Sequence, residues 1–160
     1  MVSAVVFLAI GGYFLYASTS HSSYDSTVNL EPGLAYELHK TLPAGSTITG
    51  SFREVSGQPV NLYIMDSSQF ASFQNGGYTA SLYQVAEEAT STFAYTTQTG
   101  DIYYLLFRHG SGLADTTETI TVARDYAVPD TFRQGLGLLN IALAGMFAAL
   151  AVHSFRARRR

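Results

Sequence analysis

The chain has 160 residues, 47% of them apolar and 13% charged, and no cysteine. Its length suits one domain of ordinary size, and without cysteine there is no disulfide framework, thiol nucleophile or cysteine-based metal site. All 12 acids lie between Asp25 and Asp130, and with the five basic groups of residues 25–133 they give this middle a net charge of −7, so it repels nucleic-acid phosphates.

The first 17 residues are apolar and uncharged from Val2 to Ala17. They read as a transmembrane signal anchor that stays or as a signal peptide removed near Ala17. The missing basic n-region and the lack of a clear small-x-small cleavage site favour the anchor. Tyr13 and Tyr16 suit an interfacial aromatic belt on the outer side. Residues 18–27, "STSHSSYDST", are expected to form a flexible spacer.

Period-two alternation then begins, and residues 28–127 predict an all-β antiparallel sandwich. Leu34, Tyr36 and Leu38 share one face of the first strand, opposite Glu37, His39 and Thr41. "LPAG" is a turn, after which Ile48 and Phe52 point inward, and then Val60, Leu62 and Ile64 do the same. A strand near Thr90–Thr96 carries Phe93 and Tyr95. The unbroken apolar run Ile102–Phe107 marks a central strand covered on both faces, and the last strand alternates through Ile120 and Val122. Six or more short strands with Gly/Pro turns and almost no helix argue for a sandwich.

Between two of these strands, "DSSQFASFQNGG" predicts a short helix capped by Asp66 or Ser67 and ended by Gly76. Phe70 and Phe73 fall on one face of it. They are expected to plug one end of the sandwich; the alternative is an exposed partner-contact patch of Phe70, Phe73 and Tyr78.

Residues 128–134 read as a short linker that holds the sandwich near the bilayer. Residues 135–154 predict a transmembrane helix, since the 18 residues Gly135–Val152 carry no charge and would span roughly 27 Å as helix. The basic tail 155–160, with Arg156, Arg158, Arg159 and Arg160, is a topology signal that places the C-terminus in the cytoplasm and residues 18–133 outside the cell membrane. Gly12, Asn140, Ala142, Gly145 and Ala149 are candidate helix-packing positions, between the two spans or with another subunit.

Several of these pieces occur together in a known order. The glycine after "LPA", the "GSF" strand, "NLYIMDSSQFASFQNG" and the later "GDIYYLLF" resemble the GOLD-like β-sandwich of emp24/p24-type membrane proteins, above all uncharacterised archaeal and bacterial ones. The resemblance covers roughly residues 28–127 and implies a GOLD- or jelly-roll-like, non-catalytic interaction domain held at a membrane. The chain lacks the paired cysteines, coiled coil and sorting tail of the eukaryotic members, so cargo trafficking is not implied.

Catalytic motifs are sparse. "FRHG" at Phe107–Gly110 resembles the Arg-His-Gly of histidine phosphatases, but it ends a strand of an all-β domain, where a structural edge position is expected. His21, His39, His109 and His153 lack metal-ligand spacing, and no nucleophile elbow or phosphate loop occurs. No cofactor, metal or catalytic residue is expected. The predicted function is a membrane-anchored interaction protein, either an accessory subunit of a membrane complex or an adaptor for exported proteins. Its partners would be the lipid bilayer and either a membrane protein or a second copy of itself. The alternatives are an extracytoplasmic module binding a small ligand or carbohydrate through Tyr78, Tyr83 and nearby polar turns, and a hydrolase centred on His109.

Overall fold

The computed structural model of the protein describes residues 2–16, 18–77, 80–113 and 115–157. In chain order the elements are α1 (Val2–Tyr16), β1 (Thr19–Leu30), β2 (Ala35–Leu42), β3 (Thr47–Glu54), β4 (Val60–Met65) and α2 (Ser67–Gln74). Then follow β5 (Tyr83–Glu88), β6 (Thr90–Thr96), β7 (Asp101–His109), β8 (Glu118–Pro129) and α3 (Thr131–Ala157). They fall into two compact units: a β-unit, His21–Val128, and a helical unit made of the residues before and after it.

In the β-unit two four-stranded sheets run β1-β8-β3-β6 and β2-β7-β4-β5. Every connection except β4 to β5 changes sheet, which is the strand order of a jelly roll. Strand alternation explains the core. Val28, Leu30, Ile48, Phe52, Ile120 and Val122 point in from one sheet, and Val60, Leu62, Ile64, Tyr103, Leu105 and Phe107 meet them from the other. The "LPAG" turn is locked by buried Thr97, whose hydroxyl donates to Pro43 O at 2.7 Å and accepts from Ser46 N–H at 2.9 Å.

Three expectations need correction here. Residues 18–27 are not a flexible spacer, because β1 runs through them and on to Leu30. Its inward positions at that end are Tyr24 and Ser26 rather than aliphatics, so the alternation that marks a strand is hidden. Leu34 precedes β2 and is 61% exposed, while Leu38 and Leu42 carry the inward face. Residues 128–134 are not a linker either. β8 extends to Pro129, and Asp130 alone separates it from α3. The Asp130 carboxylate accepts from Arg133 N–H at 3.0 Å, as an N-cap does.

In the helical unit α1 and α3 pack antiparallel. A Cβ on Gly11 would stand 2.9 Å from Gly137 O and 2.9 Å from Ile141 Cγ1, and one on Gly137 would stand 2.8 Å from Leu15 Cγ. Phe7 and Phe147 stack at 5.4 Å further along. The close approach between the two helices therefore runs through Gly11, Gly137 and the expected Asn140, rather than through Gly12, Ala142, Gly145 and Ala149. Gly12 and Gly145 have nothing within 4 Å of a Cβ, and Ala142 and Ala149 are exposed. Asn140 does lie in the seam, 3.3 Å from the Gly11 Cβ position, but it donates to Leu136 O of its own helix at 2.8 Å. Each helix carries small residues on more than one face, so sequence spacing alone cannot choose between the faces. Within α3 the 18 residues Arg133–Leu150 are long and apolar enough to cross a membrane.

Candidate functional site

The segment 66–77 forms α2 with complete capping at both ends. Asp66 accepts from Gln69 N–H at 2.8 Å while the Gln69 side chain accepts from Asp66 N–H, a capping box. At the other end Gly76 N–H donates to Phe73 O and Gly77 N–H to Ser72 O, with Gly76 at φ 74°, a Schellman motif that requires this left-handed residue. Ser67 Oγ ties the first turn to Asp101 Oδ2 at 2.9 Å. That hydrogen bond, with one from Ile102 N–H, holds the Asp101 carboxyl below its ordinary range.

α2 does not plug the end of the sandwich. Its aromatics pack on the outer face of the β2-β7-β4-β5 sheet, where alternation places Met65 of β4 and Leu106 and Tyr104 of β7. Phe70 is buried and stacks on Tyr104 at 4.0 Å. Phe73 is half-buried at the margin of this second cluster. Tyr78 lies outside the described residues, and Tyr83 packs on the main core instead of lining a site.

Beside Phe73 a groove of about 290 Å³ opens, lined by Gly33, Leu34, Ala35, Phe73, Arg108 and Gly110 among others. The β2–β7 register sets Ala35 opposite Arg108 and so brings the turn before β2 to the end of α2. Arg108 spreads over the Phe73 ring, with Cζ 5.5 Å from the centroid. No carboxylate pairs with Arg108 among the described residues. The groove thus offers exposed apolar carbon around one uncompensated cation. Leu34 and Arg108 lie 74 positions apart, and no local pattern in the sequence links them.

His109 turns the other way. It follows Arg108 on β7, so its ring points inward, 6% exposed, with Nδ1 at 3.3 Å from Oε1 of Glu118, which is 1% exposed. Nε2 donates to Glu31 O at 2.9 Å. A carbonyl only accepts, so Nε2 donates here, while Nδ1 and both Glu118 oxygens are buried without a hydrogen-bond partner among the described residues. Burial pushes the Glu118 carboxyl up, against the pull of His109, and the nearby Glu54 charge adds to the rise. Burial also acts on Glu54, but hydrogen bonds from Gln58 N–H and Ser56 Oγ outweigh it and hold that carboxyl down. Arg108 and His109 therefore extend from opposite faces of one strand, although both border the groove beside Phe73.

The fold holds the Glu118 proton more tightly than the unfolded chain does. Stability is then complete below the unfolded carboxyl value and falls as pH rises through the raised folded value. Glu118→Gln is expected to match the native protein near pH 4 and to exceed it at pH 8 by about 1 kcal/mol, the order of one buried unsatisfied polar group. Thermal melts across that range check it, and a difference independent of pH would contradict the assignment.

On the opposite sheet a shallow depression of about 410 Å³ is lined by Asp25, Thr27, Ser51, Arg53, Thr90 and Thr121 among others. Its outward side chains are mainly hydroxyls and charges, and the one ring in its lining, Phe52, is buried beneath them. Arg156 belongs to α3, and Arg158, Arg159 and Arg160 lie outside the described residues.

No protein-family model matches the chain, and no curated protein matches it. Among solved structures it is similar to PliG of Aeromonas hydrophila, a periplasmic inhibitor of g-type lysozyme, at 11% identity and a TM-score of 0.49, over 66% of this chain and 84% of that one. A Bacillus endospore appendage protein is similar at 8% identity and a TM-score of 0.44, over 69% and 89%. The pre-peptidase C-terminal domain of Bacillus anthracis collagenase is similar at 9% identity and a TM-score of 0.43, over 64% and 88%. Likeness at this level carries nothing about what the chain binds.

Proposed function

We propose that the protein is a membrane-anchored interaction protein whose GOLD-like ectodomain docks an apolar, acidic segment of a partner in the groove between Leu34, Phe73 and Arg108. The groove carries the reading: exposed Leu34 and half-buried Phe73 flank an arginine that no carboxylate pairs with among the described residues, in a domain rich in acids. An acidic residue next to an apolar one complements it in charge and in shape.

Anchoring rests on the helical unit. The apolar window of α3 is only 11% buried, whereas the core helix of a water-soluble protein hides most of its surface. Leu138, Leu139, Met146, Phe147 and Leu150 of α3, with Val5, Val6, Leu8 and Ile10 of α1, remain exposed after the two helices have packed together. Lipid covers such a surface at no cost. The close Gly11–Gly137 contact supports α1 as a retained part of this anchor. The GOLD-like motifs add support through order: a strand ending at Asp66, a short aromatic helix, and later the "GDIYYLLF" strand.

The test is extraction of the intact protein from its own membrane in mild detergent after gentle crosslinking. Stoichiometric co-migration with a companion is expected, with recovery of that companion reduced by about tenfold or more in Leu34→Asp and in Arg108→Glu. Both residues are exposed, so the fold should survive the changes. Migration as a lone monomer or homo-oligomer, or full companion recovery in both variants, would sink the proposal.

A further inference from the structure

The lateral mouth of the sandwich, where the edge strands β1 and β2 face each other, is built differently from the rest of the core. The inward positions that hold Val28, Leu30, Leu38, Leu42, Ile120 and Val122 elsewhere hold Tyr24, Ser26, Lys40, Arg124 and Tyr126 here. Lys40 Nζ donates to the Tyr24 hydroxyl at 3.1 Å and stands 4.7 Å from the Tyr24 ring centroid and 4.8 Å from that of Tyr126. The Arg124 guanidinium lies 5.4 Å from the Tyr24 centroid and donates to Ser26 Oγ at 2.7 Å. Two of the five basic groups between residues 25 and 133 thus converge on one tyrosine.

Neither cation pairs with a carboxylate among the described residues. The acids nearest in sequence to the cluster, Glu37, Asp25 and Asp125, alternate onto the outer faces of the sheets, where Glu37 pairs with His39. Asp125 is already held there by His21 Nδ1 at 3.0 Å and Ser23 Oγ at 2.8 Å. Strand alternation has sorted the charges, negative outside and positive inside the mouth. Tyrosine faces offset part of the repulsion between the two cations, but they cannot neutralise charge. Lys40 has three N–H donors and Arg124 five, and each bond described above uses only one of them. Tyr24 is 45% exposed and Tyr126 is 2% exposed, so the mouth opens to solvent above a closed aromatic floor.

We propose that this mouth is a binding site for a phosphate-type oxyanion, held by Lys40 and Arg124 with the hydroxyls of Tyr24 and Ser26. A tetrahedral oxyanion accepts several hydrogen bonds at once, which suits a guanidinium fork, an ammonium and two hydroxyls arranged around one opening. The ligand chemistry is the same whether the phosphate is free or belongs to an anionic lipid headgroup. The site does not depend on the partner groove, from which it differs in both residues and charge.

The experiment follows the melting midpoint of the full chain in an uncharged maltoside detergent as inorganic phosphate replaces chloride at constant ionic strength and pH. The native protein should show a phosphate-specific rise of a few degrees that saturates. Lys40→Gln should abolish the rise, and Lys40→Arg should retain it, so a fold weakened by the first change is distinguished from a lost site. A native midpoint that responds equally to phosphate and chloride, or a saturable phosphate response that survives in Lys40→Gln, would overturn the proposal. A repeat in nanodiscs containing phosphatidylglycerol identifies the source. If headgroups fill the mouth, the rise is already present there and added phosphate contributes nothing; if free phosphate does, the response is unchanged. Either pattern supports the site.

Discussion

Gly50→Val is expected to destabilise the β-unit by about 3 kcal/mol, the upper part of the range for overpacking a well-filled core. Gly50 faces inward on β3, paired with Phe93 of β6 on one side and Arg124 of β8 on the other. A Cβ there would collide with the Ala123 carbonyl and stand 2.5 Å from Phe93 Cζ. The ring can move, but the carbonyl belongs to the neighbouring strand and shifts only if the β3–β8 ladder opens. Valine's better strand propensity is worth at most about 1 kcal/mol and does not offset this. Chemical denaturation of the full chain, followed by tyrosine fluorescence, measures the loss. Ser51→Val, one residue on and facing outward, is the control and should change stability by less than about 0.5 kcal/mol. Equal stability of the two variants would show that Phe93 does not close over Gly50.

Phe70→Ala should cost about 3 kcal/mol and release α2 before the sandwich unfolds. The ring joins Met65, Leu106 and Tyr104 into the second cluster, and the stack on Tyr104 is the main contact holding the helix down. An eight-residue helix has little stability of its own, so its caps cannot hold it in place once the ring is gone. Limited proteolysis is expected to cut the variant within residues 66–77 while the strands remain protected. Phe73→Ala, at the half-buried margin, should cost about 1 kcal/mol and leave α2 docked. If Phe70→Ala proved as resistant to protease as the native chain, packing on the outer sheet face would not be what holds α2.

Individual elements show how much could be read in advance. Strands β3, β4, β7 and β8 were legible because their alternation is written in aliphatic and aromatic residues, and because an unbroken apolar run such as Ile102–Phe107 needs cover on both faces. The capped helix at residues 66–77 was legible because caps are local chemistry. β1 was not, because its inward side chains at one end are a tyrosine and a serine. β5 offers only Tyr83 and Val85 to the core, too short a signal to stand out between turns.

The sites divide along the same line. Phe70 and Phe73 were visible as a pair, but which surface they cover depends on the face of β4 and β7 that presents Met65, Tyr104 and Leu106. Gly11 and Gly137 could not be told from Gly12 and Gly145 by spacing, since rotation about each helix axis is set only by the partner helix. The groove joins Leu34 to Arg108, and the charged mouth joins Tyr24, Lys40 and Arg124, across separations that no local pattern spans. Sequence by itself determined the composition of the two units, the period of the strands and the caps of α2, because these follow from interactions within a few residues. Which side chains meet was decided only by the tertiary structure, because the order of strands in each sheet and the register between them bring distant residues together.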